Sequence, residues 1–227
     1  MKKTHYSVAV DGPSGAGKST LAKEAARELQ ITYVDTGAIY RVIGLAAQRR
    51  GIGTDNAAEI IPVLPELDIG MRYADDGTQR MYLNGEDVSE AIRLPEISMQ
   101  ASAVSALAEV RAFLLEMQRS LARRQSVIMD GRDIGTVVLP DADVKIFLTA
   151  DAEVRARRRF RELEQRGTPR PYDEVLEELK QRDWNDTHRD VAPLRCADDA
   201  ITVDTSGLSF EESRNLLIRT IRERVGA

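Results

Sequence analysis

The chain has 227 residues, 42% of them hydrophobic and 30% charged, which suits one globular domain with or without a small insert. The formal net charge of −5 gives no overall basic field, so we expect no nucleic-acid partner. Cys196 is the single cysteine, which excludes a disulfide framework and a four-thiolate zinc site and favours a cytoplasmic location. The N-terminal apolar run is too short for a signal peptide, and no run approaches the roughly 18 apolar residues of a membrane span. We therefore expect no membrane association.

The most informative stretch reads GPSGAGKST and matches the phosphate-loop pattern GxxxxGK[ST]. Residues 6–10 before it predict a buried strand, and residues 21–29 after it predict a helix. The glycines let backbone N–H groups converge on phosphate oxygens, Lys18 should reach the β and γ phosphates, and Ser19 should coordinate Mg²⁺ directly. The less favoured alternative is a glycine-rich turn with a surface lysine. The predicted ATP-binding loop comprises Gly12, Pro13, Ser14, Gly15, Ala16, Gly17, Lys18, Ser19 and Thr20.

The rest of the chain alternates strands and helices, which predicts an α/β fold with a doubly wound parallel sheet covered by helices on both faces. The predicted strands are 31–34, 126–129, 144–148 and 200–203, and the predicted helices are 38–50, one from 95 past 121, 151–167, 173–188 and 210–225. Short alternating stretches at 67–73, 79–83 and 86–88, with Asn-Gly at 84–85, predict a small antiparallel insert of two or three strands. Either a decorative hairpin or a substrate-binding insert fits this pattern.

Two further stretches should lie at the carboxyl edge of the sheet. Asp130 follows the strand at 126–129 and could help to hold Mg²⁺ through a water, although a strand-end aspartate can also simply cap a turn. In the stretch DTGAIYR, Thr36 could cap a helix whose N-terminus binds a second anion, and Arg41 could bind phosphate in a bidentate manner. A plain capped helix is the alternative. Two phosphate sites facing each other would suggest transfer from phosphate to phosphate.

Arginines are dense in the last third of the chain. Arg155, Arg158 and Arg159 share one helical face, and Arg182, Asp186 and Arg189 recur at i, i+4 and i+7. A run of charges is usually a solvated face, but these arginines flank the connection TPRPYDE (168–174), where a closing flap could neutralise charge on a transferring phosphoryl group. Neither histidine has metal-ligand spacing.

Taken together, GPSGAGKST, DTGAIYR, DGRDIGTVV (130–138), VKIFLTA (144–150) and RDW…HRDVAPL (182–194) resemble the bacterial cytidylate kinase family along the whole chain. The resemblance implies transfer of the ATP γ-phosphoryl group to CMP or dCMP with Mg²⁺. It also implies a monomer with a P-loop kinase core at 1–60 and 100–227, a zinc-free flap at about 155–175, and a nucleoside monophosphate-binding insert at about 61–99.

The resemblance also assigns roles to individual residues. Thr36, Arg41 and Arg132 match residues that hold the acceptor phosphate; Ser102, Arg111 and Asp133 match those that read cytosine; Arg182 and Asp186 match those that hold the ribose. Tyr40 belongs to the same predicted CMP site, Arg189 matches an arginine that faces the phosphates, and Arg155 and Arg158 match flap arginines that contact ATP. The predicted catalytic, charge-neutralising residues are Lys18, Arg132, Arg158 and Arg189. Thr36 departs from the family pattern, where serine is usual, but it keeps the hydroxyl.

The predicted chemistry requires no general base, because a phosphate monoester with a second pKa of about 6 is already a dianion at neutral pH. Asp133 is therefore interpreted as a recognition residue. One alternative is a kinase of another monophosphate or of a hydroxyl metabolite such as shikimate, for which Asp35 or Asp133 could act as base. Another is a nucleic-acid-associated NTPase that uses the arginine-rich helix as its contact surface.

Overall fold

The computed structural model describes residues 5–53 and 56–226, and the chain divides into two compact units. The first unit comprises Met1–Tyr33 and Gln125–Ala227, and the second comprises Val34–Arg124. The predicted insert at about 61–99 lies wholly within the second unit. Its role as the monophosphate-binding part of the chain stays a prediction.

The strands form two separate sheets. In chain order they are β1 (Ser7–Asp11), β2 (Thr32–Asp35), β3 (Ile69–Tyr73), β4 (Gln79–Leu83), β5 (Glu86–Asp87), β6 (Val127–Gly131), β7 (Val144–Thr149) and β8 (Ile201–Asp204). The five-stranded sheet has the order β2-β6-β1-β7-β8, and β1 pairs in parallel with both β6 and β7. The smaller sheet has the order β3-β4-β5 and is antiparallel. The predicted parallel sheet and the predicted antiparallel insert are both confirmed.

The helices follow the predicted order with two exceptions, an unpredicted short helix at 57–60 and a break in the helix predicted from residue 95. They are α1 (Lys18–Leu29), α2 (Thr36–Arg49), α3 (Ala57–Ile60), α4 (Pro95–Val104), α5 (Ala108–Arg124), α6 (Ala152–Gln165), α7 (Tyr172–His188) and α8 (Phe210–Val225). The single helix predicted from Pro95 past residue 121 is wrong, because it is divided into α4 and α5. The backbone N–H groups of Ala106 and Leu107 donate to carbonyls three residues back, which tightens and ends α4.

The central sheet places the predicted nucleotide loop. β1 is its middle strand, and Val8, Ala9 and Val10 are fully buried, as expected for a strand covered on both faces. Apolar side chains of α1 and α8 pack on the strands in one continuous core that includes Leu21, Leu217 and Ile221. Because β1 ends at Asp11, the phosphate loop begins directly at the carboxyl end of the central strand.

The second unit has its own core. Ile39 and Ile43 from α2, Met81 from β4, Ile97 from α4 and Leu114 from α5 are buried together. This core fixes α2 against the small sheet. Within the two described ranges, no helix is both long and apolar enough to cross a membrane.

Candidate active site

The phosphate loop has the backbone geometry that its glycines predict. Gly12 has a φ of +149°, and a Cβ added there would lie 2.0 Å from the Leu148 carbonyl oxygen, so no side chain fits. Gly17 is the left-handed residue that precedes α1, with a φ of +88°. The loop is therefore held close to β7 and leads directly into the N-terminus of α1, where free N–H groups favour anions.

Lys18 opens α1 and is only 5% exposed. Its Nζ donates to the Pro13 carbonyl oxygen at 2.7 Å, which holds the ammonium inside the loop. Burial, followed by the charges of Arg132 and Arg182, lowers the pKa of Lys18 to about 7 although Asp130 and Asp11 act in the opposite direction. A phosphate group bound in the loop would add negative charge beside this buried ammonium and favour its charged form.

Ser19 and Asp130 are in direct contact, as the predicted metal site requires. Ser19 Oγ donates to Asp130 Oδ2 at 2.8 Å, and Tyr33 Oη donates to Asp130 Oδ1 at 2.8 Å. Among the described residues no three His, Cys, Asp or Glu side chains form a metal cluster. A hydroxyl and one carboxylate are hard oxygen donors that suit Mg²⁺, which commonly takes its other ligands from water and substrate phosphates. The donor set therefore fits the predicted ion.

The turn after β6 carries a buried network of opposite charges. Arg132 Nε donates to Asp186 Oδ2 at 2.7 Å, and Arg189 Nη2 lies 3.6 Å from Asp133 Oδ1. Burial of Asp186 opposes its ionisation, but Arg132, Arg182 and Arg189 outweigh this effect and lower its pKa. The first unit thus brings five predicted CMP-binding residues into one network: Arg132, Asp133, Arg182, Asp186 and Arg189.

Arg189 is not on the helical face that the spacing predicts. α7 ends at His188, and Arg189 has an extended backbone. Its Nε donates to the Ala192 carbonyl oxygen at 2.7 Å, and Nη2 contacts the same oxygen. Ala192 has a φ of +49°, and the N–H of Leu194 donates to the Asp186 carbonyl oxygen at 2.7 Å. The VAPL stretch (191–194) therefore folds back onto the end of α7, and its Ala192 carbonyl oxygen holds the Arg189 side chain.

In the second unit, Asp35 rather than Thr36 caps α2. The helix already begins at Thr36, so the preceding Asp35 accepts from the Ala38 N–H at 2.9 Å. The predicted capping role of Thr36 is therefore wrong, although Thr36 is buried in the first turn of α2. Arg41 Nη2 pairs with Asp35 Oδ2 at 2.7 Å. The cap and the arginine thus share one carboxylate at the N-terminus of α2.

Tyr40, Ser102 and Arg111 are also close to one another within the second unit. The Arg111 guanidinium lies 5.4 Å from the centroid of the Tyr40 ring, and its Nη1 donates to the Ser105 carbonyl oxygen at 3.0 Å. Ser105 Oγ in turn donates to the Ser102 carbonyl oxygen at 2.8 Å. These contacts give the largely buried Arg111 a defined position.

The two predicted flap arginines differ in their contacts. Arg155 is 5% exposed; its Nε donates to the Ala150 carbonyl oxygen at 2.8 Å, and its Nη1 donates to the Ser14 carbonyl oxygen at 2.9 Å. Nη1 also pairs with Asp183 at 2.7 Å. Arg158 instead donates to the hydroxyl and carbonyl oxygens of Thr205 at 3.1 and 2.8 Å. Arg155 therefore connects the phosphate loop to both α6 and α7.

Sequence reasoning missed three residues that position the predicted site residues: Asp11, Asp183 and Gln79. Asp11 accepts from two backbone N–H groups after β6, Asp183 pairs with Arg155, and Gln79 exchanges hydrogen bonds with the backbone of Asp35 at 2.8 and 3.2 Å. Asp11 could have been found by the rule that singled out Asp130, since both follow buried strands. The partners of Gln79 and Asp183 lie 44 and 28 residues away, and local pattern does not reveal such pairs.

Comparisons with known proteins identify the family. The cytidylate kinase family model matches residues 8–223. The cytidylate kinase of Caldicellulosiruptor bescii is 51% identical over 93% of this chain and 92% of its own, and that of Caldicellulosiruptor saccharolyticus is 48% identical over 100% and 99%. A solved shikimate kinase from Bacteroides thetaiotaomicron aligns over 98% of this chain and 99% of its own at 15% identity, with a TM-score of 0.49, too distant a likeness to bear on the acceptor. With nearly all of its length matched, this chain belongs to the cytidylate kinase family.

Proposed function

We propose that this protein transfers the γ-phosphoryl group of ATP to CMP or dCMP, giving ADP and CDP or dCDP. The observation that carries the proposal is the match of residues 8–223 to the cytidylate kinase family, which makes the protein a kinase. The buried Lys18 in a complete phosphate loop supports the donor half of the reaction.

The phosphate loop and its supports bind ATP in this proposal. Backbone N–H groups of the phosphate loop, other than at Pro13, surround the phosphates. The Lys18 ammonium contacts the β and γ phosphates, whose negative charge raises its pKa again. Arg158 provides a further positive charge to ATP. Arg155 contributes to the same site, because it donates to the Ser14 carbonyl oxygen of the phosphate loop.

Ser19 and Asp130 would hold Mg²⁺ in this proposal. Bound there with ATP, the ion would neutralise charge on the β and γ phosphates. Tyr33 orients the Asp130 carboxylate by donating to the oxygen that Ser19 does not use.

The acceptor-binding residues have three roles in this proposal. Thr36, Arg41 and Arg132 bind the phosphate of CMP, and Arg189 stabilises charge on the transferring group. Ser102, Arg111 and Asp133 bind cytosine, Tyr40 supports Arg111, and Arg182 and Asp186 bind the ribose. The contact between Asp186 and Arg132 within the first unit supports the assignment, because neighbouring side chains could bind the neighbouring ribose and phosphate of one nucleotide.

Transfer requires alignment and charge neutralisation rather than a base. The acceptor phosphate is a dianion at neutral pH, so it attacks without losing a proton. The two carboxylates that could serve a hydroxyl acceptor already have arginine partners: Asp35 pairs with Arg41, and Asp133 lies beside Arg189. This pairing favours a phosphate acceptor. We expect the protein to act as a monomer in the cytoplasm, without nucleic acid or membrane as partner.

The test is ADP production from ATP and Mg²⁺ with a panel of acceptors: CMP, dCMP, UMP, AMP, GMP, shikimate and none. We expect strong turnover with CMP and dCMP alone. Turnover confined to another acceptor would overturn the cytosine assignment of Ser102, Arg111 and Asp133. ADP production that is independent of any acceptor would overturn the kinase proposal.

A further inference from the structure

We propose that Asp11 is a positioning residue that holds the turn after β6 so that Arg132 and Asp133 present their side chains correctly to the acceptor nucleotide. The inference rests on the proposed function, since it assumes that these two residues contact CMP. Asp11 itself need not touch either substrate.

The Asp11 carboxylate binds the turn at two points. Its Oδ1 accepts from the Ile134 N–H at 2.8 Å, and its Oδ2 accepts from the Gly135 N–H at 2.7 Å. These are the first two N–H groups of the single π-helical turn Ile134–Val138, which lack acceptors within that turn. A side chain from β1 therefore caps the turn, and the capped residues directly follow Asp133.

The backbone of Asp133, at the start of the same turn, holds it as well. The Asp133 carbonyl oxygen accepts from the N–H groups of Val137 and Val138 at 2.8 and 3.1 Å. Asp133 is thus fixed through its own carbonyl and through the next two peptide units. If the Asp11 hydrogen bonds were lost, the bonds to the Asp133 carbonyl oxygen would remain. The peptide planes at Ile134 and Gly135 would then be free to rotate, and the Asp133 side chain would move with them.

Asp11 is buried, and its ionisation state affects how well it accepts the two hydrogen bonds. Its side chain is buried, which raises its pKa to about 6 even though the two backbone N–H donors favour ionisation. At neutral pH the group is still a carboxylate, which accepts at both oxygens and donates at neither. The ionised side chain presents one acceptor oxygen to each of the two N–H groups.

The position is also closely packed. A Cβ on Gly135 would lie 3.3 Å from Asp11 Oδ2 and 3.2 Å from Lys145 Cδ, so a larger residue there would have to displace one of these side chains slightly. Asp11 is followed by Gly12, where the Leu148 carbonyl oxygen leaves no room for a side chain. The carboxylate has little freedom to follow a displaced turn.

The experiment compares Asp11→Asn with wild type in steady-state kinetics, varying CMP at saturating ATP and ATP at saturating CMP. Asparagine keeps the shape but presents an NH₂ group to one of the two N–H donors, so one bond is lost and two donors face each other. We expect KM for CMP to rise about tenfold while KM for ATP changes less than twofold. Amide hydrogen exchange at Ile134 and Gly135 should become faster in the variant.

Asp143→Asn is the matched control. Asp143 also accepts a backbone N–H of β1, that of Ser7 at 2.9 Å, but at the opposite end of the strand and near the surface. It should leave both KM values and the exchange of the turn unchanged. Gly135→Ala displaces the same contact from the other partner and should reproduce the rise in KM for CMP, which protects the test if Asp11→Asn folds poorly.

The outcomes separate this inference from the function on which it rests. Wild type that does not phosphorylate CMP would overturn the proposed function. Active wild type with an Asp11→Asn variant whose two KM values rise together, or which only loses thermal stability, would overturn the positioning role. A rise in KM for CMP alone, with faster exchange at Ile134 and Gly135, is the result that supports it.

Discussion

The arginine-rich helix α6 has two environments only one turn apart. Arg155 is buried and bonded to the Ser14 and Ala150 carbonyl oxygens and to Asp183, whereas Arg159, four residues later, pairs with Glu162 at the surface. Both belong to the same sequence run, and both were predicted to share one face. We expect removal of the buried arginine to cost more than removal of the exposed one, because solvent weakens the exposed pair and would replace its partner, whereas the buried partners would be left without a donor.

The largest expected effect comes from the buried cation of the phosphate loop. Lys18→Met should reduce turnover by about 10³-fold, because the charge that faces the transferring phosphoryl group is lost. The same change should leave the urea midpoint of the substrate-free protein equal or higher, since burial lowers the pKa of Lys18 to about 7 and makes its charged form unfavourable. Initial rates and urea unfolding measure the two effects.

Lys180→Met is the control for this prediction. Lys180 pairs with Glu177 on the exposed side of α7. It should change neither rate nor midpoint. A Lys18→Met variant that is clearly less stable than wild type would contradict our account of the Lys18 environment.

The next largest effect separates the two arginines of α6. Arg155→Met should lower the free energy of unfolding by about 3 kcal/mol and raise KM for ATP about tenfold, because Asp183 and two buried carbonyls lose their donor. Arg159→Met should alter stability by less than about 0.5 kcal/mol and leave KM for ATP unchanged. Urea unfolding and kinetics of the two variants, compared side by side, check this. Similar losses of stability in the two variants would contradict the distinction between the buried and the exposed arginine.

A pH dependence follows from Asp186. Its pKa is lowered by Arg132, Arg182 and Arg189 against the effect of burial, so its contribution to stability is present above the ordinary value of 3.8 and is lost as pH falls through the lower folded value. Asp186→Asn should therefore be less stable than wild type at pH 6, and the difference should shrink below about pH 4. Urea midpoints at pH 6, 5, 4 and 3 provide the measurement. A difference that stayed constant with pH would show that charge pairing is not the cause.

The smallest effect is expected at an exposed cluster of ion pairs in the first unit. Glu28 on α1 pairs with Arg214 and Arg222 of α8 at 3.0 and 3.1 Å. Glu28→Gln should change the free energy of unfolding by less than about 0.5 kcal/mol and leave kinetics unchanged. A loss above 2 kcal/mol in urea unfolding would mean that exposed pairs are as important as buried ones here.

Elements with strong local signals were predicted closely. α8 has the bounds that the sequence predicts, because Ser209 and Glu212 form a capping box at its start and Gly226 ends it with a φ of +72°. The break between α4 and α5 was missed, since Ser105, Ala106 and Leu107 contain no proline or glycine and the apolar spacing continues through them. The cap of α2 was misplaced by one residue, because both Asp35 and Thr36 are good capping residues and only the backbone decides between them.

The phosphate loop, the strands and helices, the antiparallel insert and the family could be predicted from the sequence, because each is signalled by short stretches of neighbouring residues. The pairing and burial of charged residues could not, because the partners are distant in the chain. Asp11 contacts Ile134, 123 residues away, and Arg132 contacts Asp186, 54 residues away. Both contacts involve the turn after β6, at the carboxyl end of the parallel sheet. Whether a charge there is stabilised depends on the water and partners around it, which no local pattern specifies.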